Sequence, residues 1–204
     1  THFFKEGVTE TDLAEQLKKI YRDLGADGLS FEPLFAFGSN AASGHHWPDD
    51  TRLKPGDCIL VDIGCTWEGY CSDMTRTFFY KNVTQHQQEV YHTVLKANEE
   101  AEKAVTPGIP LSSLDQIARG IITDKGYGSA FTHRLGHFIG LEDHEFGDVS
   151  SASADRAVPG NIFSIEPGVY LENDMGVRVE DLVLVTDHGH EILNHFSKEL
   201  TVID

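Results

Sequence analysis

The 204-residue chain is long enough to bury a core, and its 40% hydrophobic content is that of a globular protein. Lys and Arg number 16 against 33 Asp and Glu, a formal net charge of −17, which argues against nucleic-acid binding and suits metal cations or substrates with a free amine. No apolar run approaches the ~18–20 residues needed to span a membrane, and Cys58, Cys65 and Cys71, with no CxxC spacing, argue for a reducing cytoplasm rather than a disulfide framework.

The chain opens on "THFFKEG", without an initiator Met or a signal peptide. That opening reads as the end of a helix, and the chain as a fragment of a longer protein. Thr9 and Asp12 then form a capping box. Leu13, Leu17, Ile20, Tyr21 and Leu24 make the apolar stripe of a first helix, stopped at Gly25. Next, "VDIGCTWEGYCSDMTRTFFY", residues 61–80, reads as two strands around a polar turn, each with one aspartate among apolar neighbours. A turn about Trp67 and Glu68 sets Asp62 opposite Asp73 on one face. Facing like charges destabilise a sheet, and buried carboxylates are rarely left unpaired. Either a cation lies between them, or one Asp caps a turn or meets an arginine such as Arg76.

A second helix is predicted from about Thr84 to Val105, burying Val90, Tyr91, Val94, Leu95 and Ala101. A third, capped by Ser112 or Ser113, carries its stripe on Leu114, Ile117, Ala118, Ile121 and Ile122 and stops at Gly126. It echoes the first: at an offset of 101, Gly7 matches Gly108, Leu13 matches Leu114, Ile20 matches Ile121 and Gly25 matches Gly126. "THRLGHFIGLEDHE" follows, with His133, His137 and His144, and with Gly136 and Gly140 allowing tight backbone approach around His137. At least one of these histidines is expected to bind metal. In "NIFSIEPGVYLENDMGVRVEDLVLV", residues 161–185, a turn centred on Asn173 sets Glu166 opposite Glu180. Two acid pairs in the halves of a repeat point to one site where four carboxylates converge. Arg76 and Arg178 offer two positive charges at most, so divalent metal is the expected counter-charge.

Asp62 and Asp73 in "VDIG…SDMTRT", His137 in "GHFIGLEDHE", Glu166 in "SIEPGVY" and Glu180 in "GVRVED" resemble the ligand signature of the pita-bread metallopeptidases. That family includes methionine aminopeptidase, aminopeptidase P and prolidase. The order D, D, H, E, E and each local context match, from about Glu6 to the C-terminus. The resemblance implies an α+β pita-bread fold, a pseudo-two-fold repeat of helices packed on a curved antiparallel sheet. Residues 1–204 would be one catalytic domain, without the N-terminal domain and leading helix usual in relatives. It also implies two divalent ions held by those five residues, manganese first, with cobalt or zinc as alternatives.

His133 and Arg178 look like the proline-specific branch. "NAASGHHWPDDTRLKPGD" resembles the "NAA…H…P…L..GD" run of prolidases, departing at Ser43 and Gly44, where larger apolar residues are usual. The implied reaction is metal-assisted hydrolysis of the peptide bond before proline in Xaa-Pro dipeptides. Aminopeptidase P action on longer Xaa-Pro peptides is the alternative; a non-catalytic binding module is a third reading, against which the complete ligand set speaks. Glu166 would move the proton, and His45 would stabilise the tetrahedral intermediate or steer the leaving nitrogen. His46, the adjacent rival, would line the pocket or support the groups around it. His144 would hydrogen-bond the oxyanion, and His133 and Arg178 would shape the substrate pocket. Short proline-containing peptides are the expected partners, and a homodimer is expected of the full-length protein.

Overall fold

A computed structural model describes residues 2–204. The first half of the chain contains α1 (Glu10–Asp23), β1 (Gly28–Leu29), β2 (Leu34–Phe37), β3 (Cys58–Ile63), β4 (Cys65–Trp67), β5 (Tyr70–Cys71) and β6 (Met74–Tyr80). Two helices open the second half, α2 (Gln85–Ala104) and α3 (Leu111–Asp124). Its strands are β7 (Gly136–Phe138), β8 (Glu145–Val149), β9 (Ile162–Ile165), β10 (Gly168–Leu171), β11 (Met175–Arg178), β12 (Asp181–Val185), β13 (His190–Ile192) and β14 (Val202–Ile203). One sheet has the order β14-β6-β3-β2 and another β13-β12-β9-β7-β8. All named pairings are antiparallel except β14 with β6, which is parallel.

The capping box at α1 forms: the Asp12 amide donates to Thr9 Oγ1 at 3.0 Å and the Thr9 amide to Asp12 Oδ2 at 3.1 Å. Leu13, Ala14 and Leu17 are buried against Phe35, Phe37, Ile59 and Val61. Leu24 lies at the C-cap rather than on the stripe, and is exposed. The α2 helix matches its predicted span, with Thr84 and Gln87 closing a second capping box. Of its predicted core residues, Leu95 is only partly buried. The α3 cap differs from expectation. The helix already runs at Leu111, so Pro110 occupies the cap position and neither Ser112 nor Ser113 caps it. A proline there has a fixed φ suited to helix entry and no N–H to satisfy.

The internal repeat extends from the helices into their loops. Gly7 and Gly108 both adopt left-handed φ, +81° and +83°. Their amides donate to Leu53 and Ala157 respectively, both at 2.8 Å. Arg52 donates to the Gly7 carbonyl, and Arg156 to that of Gly108. Two chance amphipathic helices would not share these loop contacts.

The two hairpins answer the register question differently. In the second, Gly168 pairs with Arg178 and Ile165 with Asp181, the register that sets Glu166 across from Glu180. In the first, Glu68 and Gly69 both take positive φ and form the turn between the paired Trp67 and Tyr70. Asp62 therefore pairs with Thr75, not Asp73. A shift of two positions preserves the face, because side chains alternate with period two. Cys58, Leu60 and Asp62 point inward, and Thr75, Thr77 and Phe79 point inward with them, while Ile59, Val61, Phe78 and Tyr80 pack toward α1.

Candidate active site

Five strand ends deliver the acids and the imidazole. Asp62 stands near the end of β3, Asp73 just before β6, His137 in β7, Glu166 just after β9 and Glu180 just before β12. Ligand atoms of Asp73, His137 and Glu180 all lie within 4.8 Å of one another. His137 Nε2 is 3.4 Å from Asp73 Oδ2 and 3.5 Å from Glu166 Oε1. His137 Nδ1–H donates to the Phe138 carbonyl at 3.1 Å, so Nε2 faces the acids with its lone pair. The close approach expected at Gly136 is present: a Cβ there would lie 1.8 Å from the Ser164 carbonyl oxygen.

The electrostatics are those of a site short of positive charge. Burial, then repulsion from Glu180 and Asp62, holds the Asp73 carboxyl well above its usual range. Burial, then Glu166 and Asp62, does the same to Glu180. Burial pushes Glu166 up to about 7 and lowers His137 to about 4. Asp62 Oδ1 and Asp73 Oδ1 are buried and meet no donor among the described residues. Leaving such atoms unsatisfied is costly. Carboxylate oxygens with one imidazole are a fitting donor set for divalent cations. The residues present therefore fit a metal.

Arg178 is the cation that reaches these acids. Its Nη2 donates to Asp62 Oδ2, its Nε to Thr75 Oγ1 at 3.0 Å and its Nη1 to the Gly44 carbonyl at 3.2 Å. Arg76 does not reach them. It lies on the opposite face of β6, bonding Asp181 at 2.6 Å and the Phe196 carbonyl. His133 Nδ1–H donates to the Arg134 carbonyl at 2.7 Å, so its Nε2 accepts from Tyr170 OH at 2.9 Å. Tyr170 OH accepts in turn from Arg178 at 2.8 Å. The departure at Gly44 also has a role in packing: a Cβ there would come within 3.3 Å of the Tyr170 ring.

These groups border a cavity of about 700 Å³. His45 and His144 are exposed on its wall, and the His144 ring lies 3.9 Å from that of His137. His46 also lines the cavity, and its Nε2 is 2.6 Å from Glu10 Oε2. Glu10, His46 and Asp49 could also be read as a ligand set. However, the Glu10 carboxylate is filled by the Phe37 amide, Asn40, His46 and the Asp49 amide. It is a buried clasp for the loop that carries His45.

Thr75, Ser164, Tyr170, Asp143 and Glu10 had no reading in the sequence. Thr75 Oγ1 donates to Glu180 Oε2 at 2.6 Å, and Ser164 Oγ to Glu166 Oε1 at 3.1 Å. The available signal was strand alternation, which puts Thr75 on the face of Asp73 and Ser164 on that of Glu166.

A two-fold α+β repeat with a buried carboxylate–imidazole cluster facing an open cavity is the arrangement of a metal-dependent hydrolase. The chain belongs to metallopeptidase family M24, which matches over residues 1–187. An uncharacterized peptidase of Staphylococcus aureus is 45% identical over 196 residues, covering 96% of this chain and 56% of the relative. The fold is the pita-bread fold of solved prolidases. The prolidase from Thermococcus sibiricus superposes with a TM-score of 0.97 at 38% identity, covering 99% of this chain and 55% of that one. The X-Pro aminopeptidase from Thermotoga maritima gives 0.96 at 36% identity, covering 99% and 57%. The chain thus spans little more than half the length of the relatives it matches. Family membership implies divalent metal ions.

Proposed function

We propose that this chain is the catalytic part of a proline-specific metallopeptidase that hydrolyses Xaa-Pro dipeptides. The observation that carries this is the His133–Tyr170–Arg178 chain of hydrogen bonds beside the converging acids. It sets a neutral imidazole and a guanidinium next to the reaction centre, where they can shape a pocket for proline and its carboxylate. Asp62, Asp73, His137, Glu166 and Glu180 would hold two divalent ions, with manganese the first choice for so oxygen-rich a set. When bound, the ions would polarise the scissile carbonyl and make water acidic enough to attack at neutral pH.

The protein's own groups do the rest. Glu166, held by Ser164, accepts a proton from the attacking water at its carboxylate and passes it to the proline nitrogen as the bond breaks. His144, exposed beside His137, donates to the oxygen that gains charge. His45, exposed on the cavity wall, meets the leaving nitrogen. Tyr170 holds His133 neutral, a state that burial and Arg178 favour by lowering its pKa to about 4. Three free thiols suit a reducing, cytoplasmic compartment.

Aminopeptidase P action is the second reading, favoured by the likeness to the Thermotoga maritima X-Pro aminopeptidase. An activity panel on the full-length protein with manganese separates the two. Cleavage of Xaa-Pro dipeptides in preference to Xaa-Pro-Yaa tripeptides is expected. The reverse preference establishes the aminopeptidase, and cleavage of neither refutes both.

A further inference from the structure

We infer that residues 194–198 form a positioning strap for the metal ligands. Asn194 ties Asp73 to the strand that follows Glu180. Lys198, acting through Asn98, holds the backbone that leads into Glu166 and Glu180. None of the three is itself a ligand; each acts through the acids it places. The inference rests on the metal reading of the site and deepens it.

The need for a strap follows from the topology. Asp73 stands just before β6 in one sheet, while Glu166 follows β9 and Glu180 precedes β12 in the other. Ladder hydrogen bonds fix spacings within a sheet, not between two sheets. Yet ligand atoms of Asp73 and Glu180 lie within 4.8 Å of one another, where like charges repel. Across this seam the Glu180 amide donates to the Thr75 carbonyl at 3.1 Å. Residues 194–198 cross it a second time, between β13 at the edge of one sheet and β14 at the edge of the other.

The strap's side chains reach the backbone beside three ligands. Asn194 Nδ2 donates to the Asp73 carbonyl at 3.0 Å, and its Oδ1 accepts from the Leu182 amide at 2.6 Å. One side-chain amide thus joins a ligand of the first half to a strand of the second, two residues past Glu180. Lys198 Nζ donates to Asn98 Oδ1 at 2.9 Å and also meets Glu102 at 2.6 Å and Asp181 at 2.8 Å. The buried Asn98 is thereby oriented with its Nδ2 toward the Ile165 carbonyl at 2.9 Å and the Val179 carbonyl at 3.4 Å. Those residues immediately precede Glu166 and Glu180. Arg76 fastens the strap itself, donating to the carbonyls of Phe196, Ser197 and Glu180. Groups that orient metal ligands in this way typically change affinity 10–100-fold when removed.

The test is calorimetric manganese binding to the chelator-stripped full-length protein, with thermal melts of the same samples. Asn194→Ala removes both bonds at a half-buried site, and manganese affinity should fall about tenfold. Lys198→Met keeps most of the stem and should weaken binding by a similar factor. His190→Ala is the control: it loses a 2.8 Å bond to the Val105 carbonyl from β13 and should lower the melting temperature with affinity unchanged. If Asn194→Ala does not fold, Asn194→Asp decides. It keeps the acceptor for Leu182 and removes the donor to Asp73, and since its added negative charge favours a cation, weaker binding still reports lost positioning. Wild-type affinity in a folded variant at Asn194 or Lys198 overturns that residue's assignment. An equal loss in His190→Ala overturns the strap altogether, by making the effect one of general stability. Both results leave the metal reading standing. Wild type that binds no manganese refutes the metal reading, and the strap with it.

Discussion

Tyr170 shows how one hydroxyl can fix two functional side chains. It accepts from Arg178 and donates to His133, and both partners border the proposed substrate pocket. Tyr170→Phe removes both bonds and little volume. Catalytic efficiency should fall about tenfold, mainly through KM, while the melting temperature shifts little. Steady-state kinetics on an Xaa-Pro dipeptide measure it, and an unchanged KM would count against a pocket role. Glu166→Gln keeps the shape but removes the proton acceptor, and turnover should drop ~10²–10⁴-fold. Activity within a few-fold of wild type would place the proton shuttle elsewhere. The acids, His137 and the other histidines were legible because residue type and local context carry their chemistry. Thr75 and Tyr170 were not, since their roles exist only through distant partners: Thr75 meets Glu180 across 105 positions of sequence.

Helices and hairpins were legible where local chemistry specifies them. The Thr9–Asp12 capping box and the Asn173 turn rest on residue types with strong local preferences; the Thr84–Gln87 box has the same chemistry but was not read. The first hairpin's turn was misplaced by one residue, because Glu68 is a non-glycine residue in left-handed conformation, which its identity does not announce. Its pairing slipped by two, and Asp62 and Asp73 still share a face. Two substitutions test the elements that hold the site. Gly136→Ala places a methyl 1.8 Å from the Ser164 oxygen, forcing β7 from β9. It should cost at least ~2 kcal/mol by urea denaturation and reduce metal content; a neutral result would show that the strands can separate freely. Glu10→Gln turns one carboxylate oxygen of the clasp into a donor facing donors. It should destabilise by about 1–3 kcal/mol and lower turnover through the His45 loop, leaving metal content unchanged. Thermal melts and metal analysis together check it, and a loss of metal would contradict a clasp role.

At the scale of the whole molecule, charge and repeat meet in one place. Each half supplies two acids, and the second half adds the histidine. Four of the 33 acidic residues are thus brought together where solvent screens them poorly. In the metal-free protein the raised pKa of Glu166, about 7 against an ordinary 4.5, means the folded chain binds more protons than the unfolded chain between those values. Asp73 and Glu180 act in the same direction. Stability from the protonated acids is thus present at low pH and lost as pH rises through about 7. His133 and His137, lowered from 6.5 to about 4, oppose this only below 6.5, where the unfolded chain takes up the protons. Above that pH the acids act alone. The chelated protein should therefore melt lower at pH 8 than at pH 6.5, and added manganese should raise the melting temperature more at pH 8. An apo melting temperature that climbs over this interval would contradict the buried, repelling cluster.

The measurement closest to the centre of the account is metal content after manganese loading, read by plasma emission on wild type and Asp73→Ala. About two ions per chain are expected for wild type, with a clear loss in the variant, as carboxylate ligation requires. Fewer than about 0.2 ions per wild-type chain, or equal loading of the two proteins, would contradict metal binding by these residues.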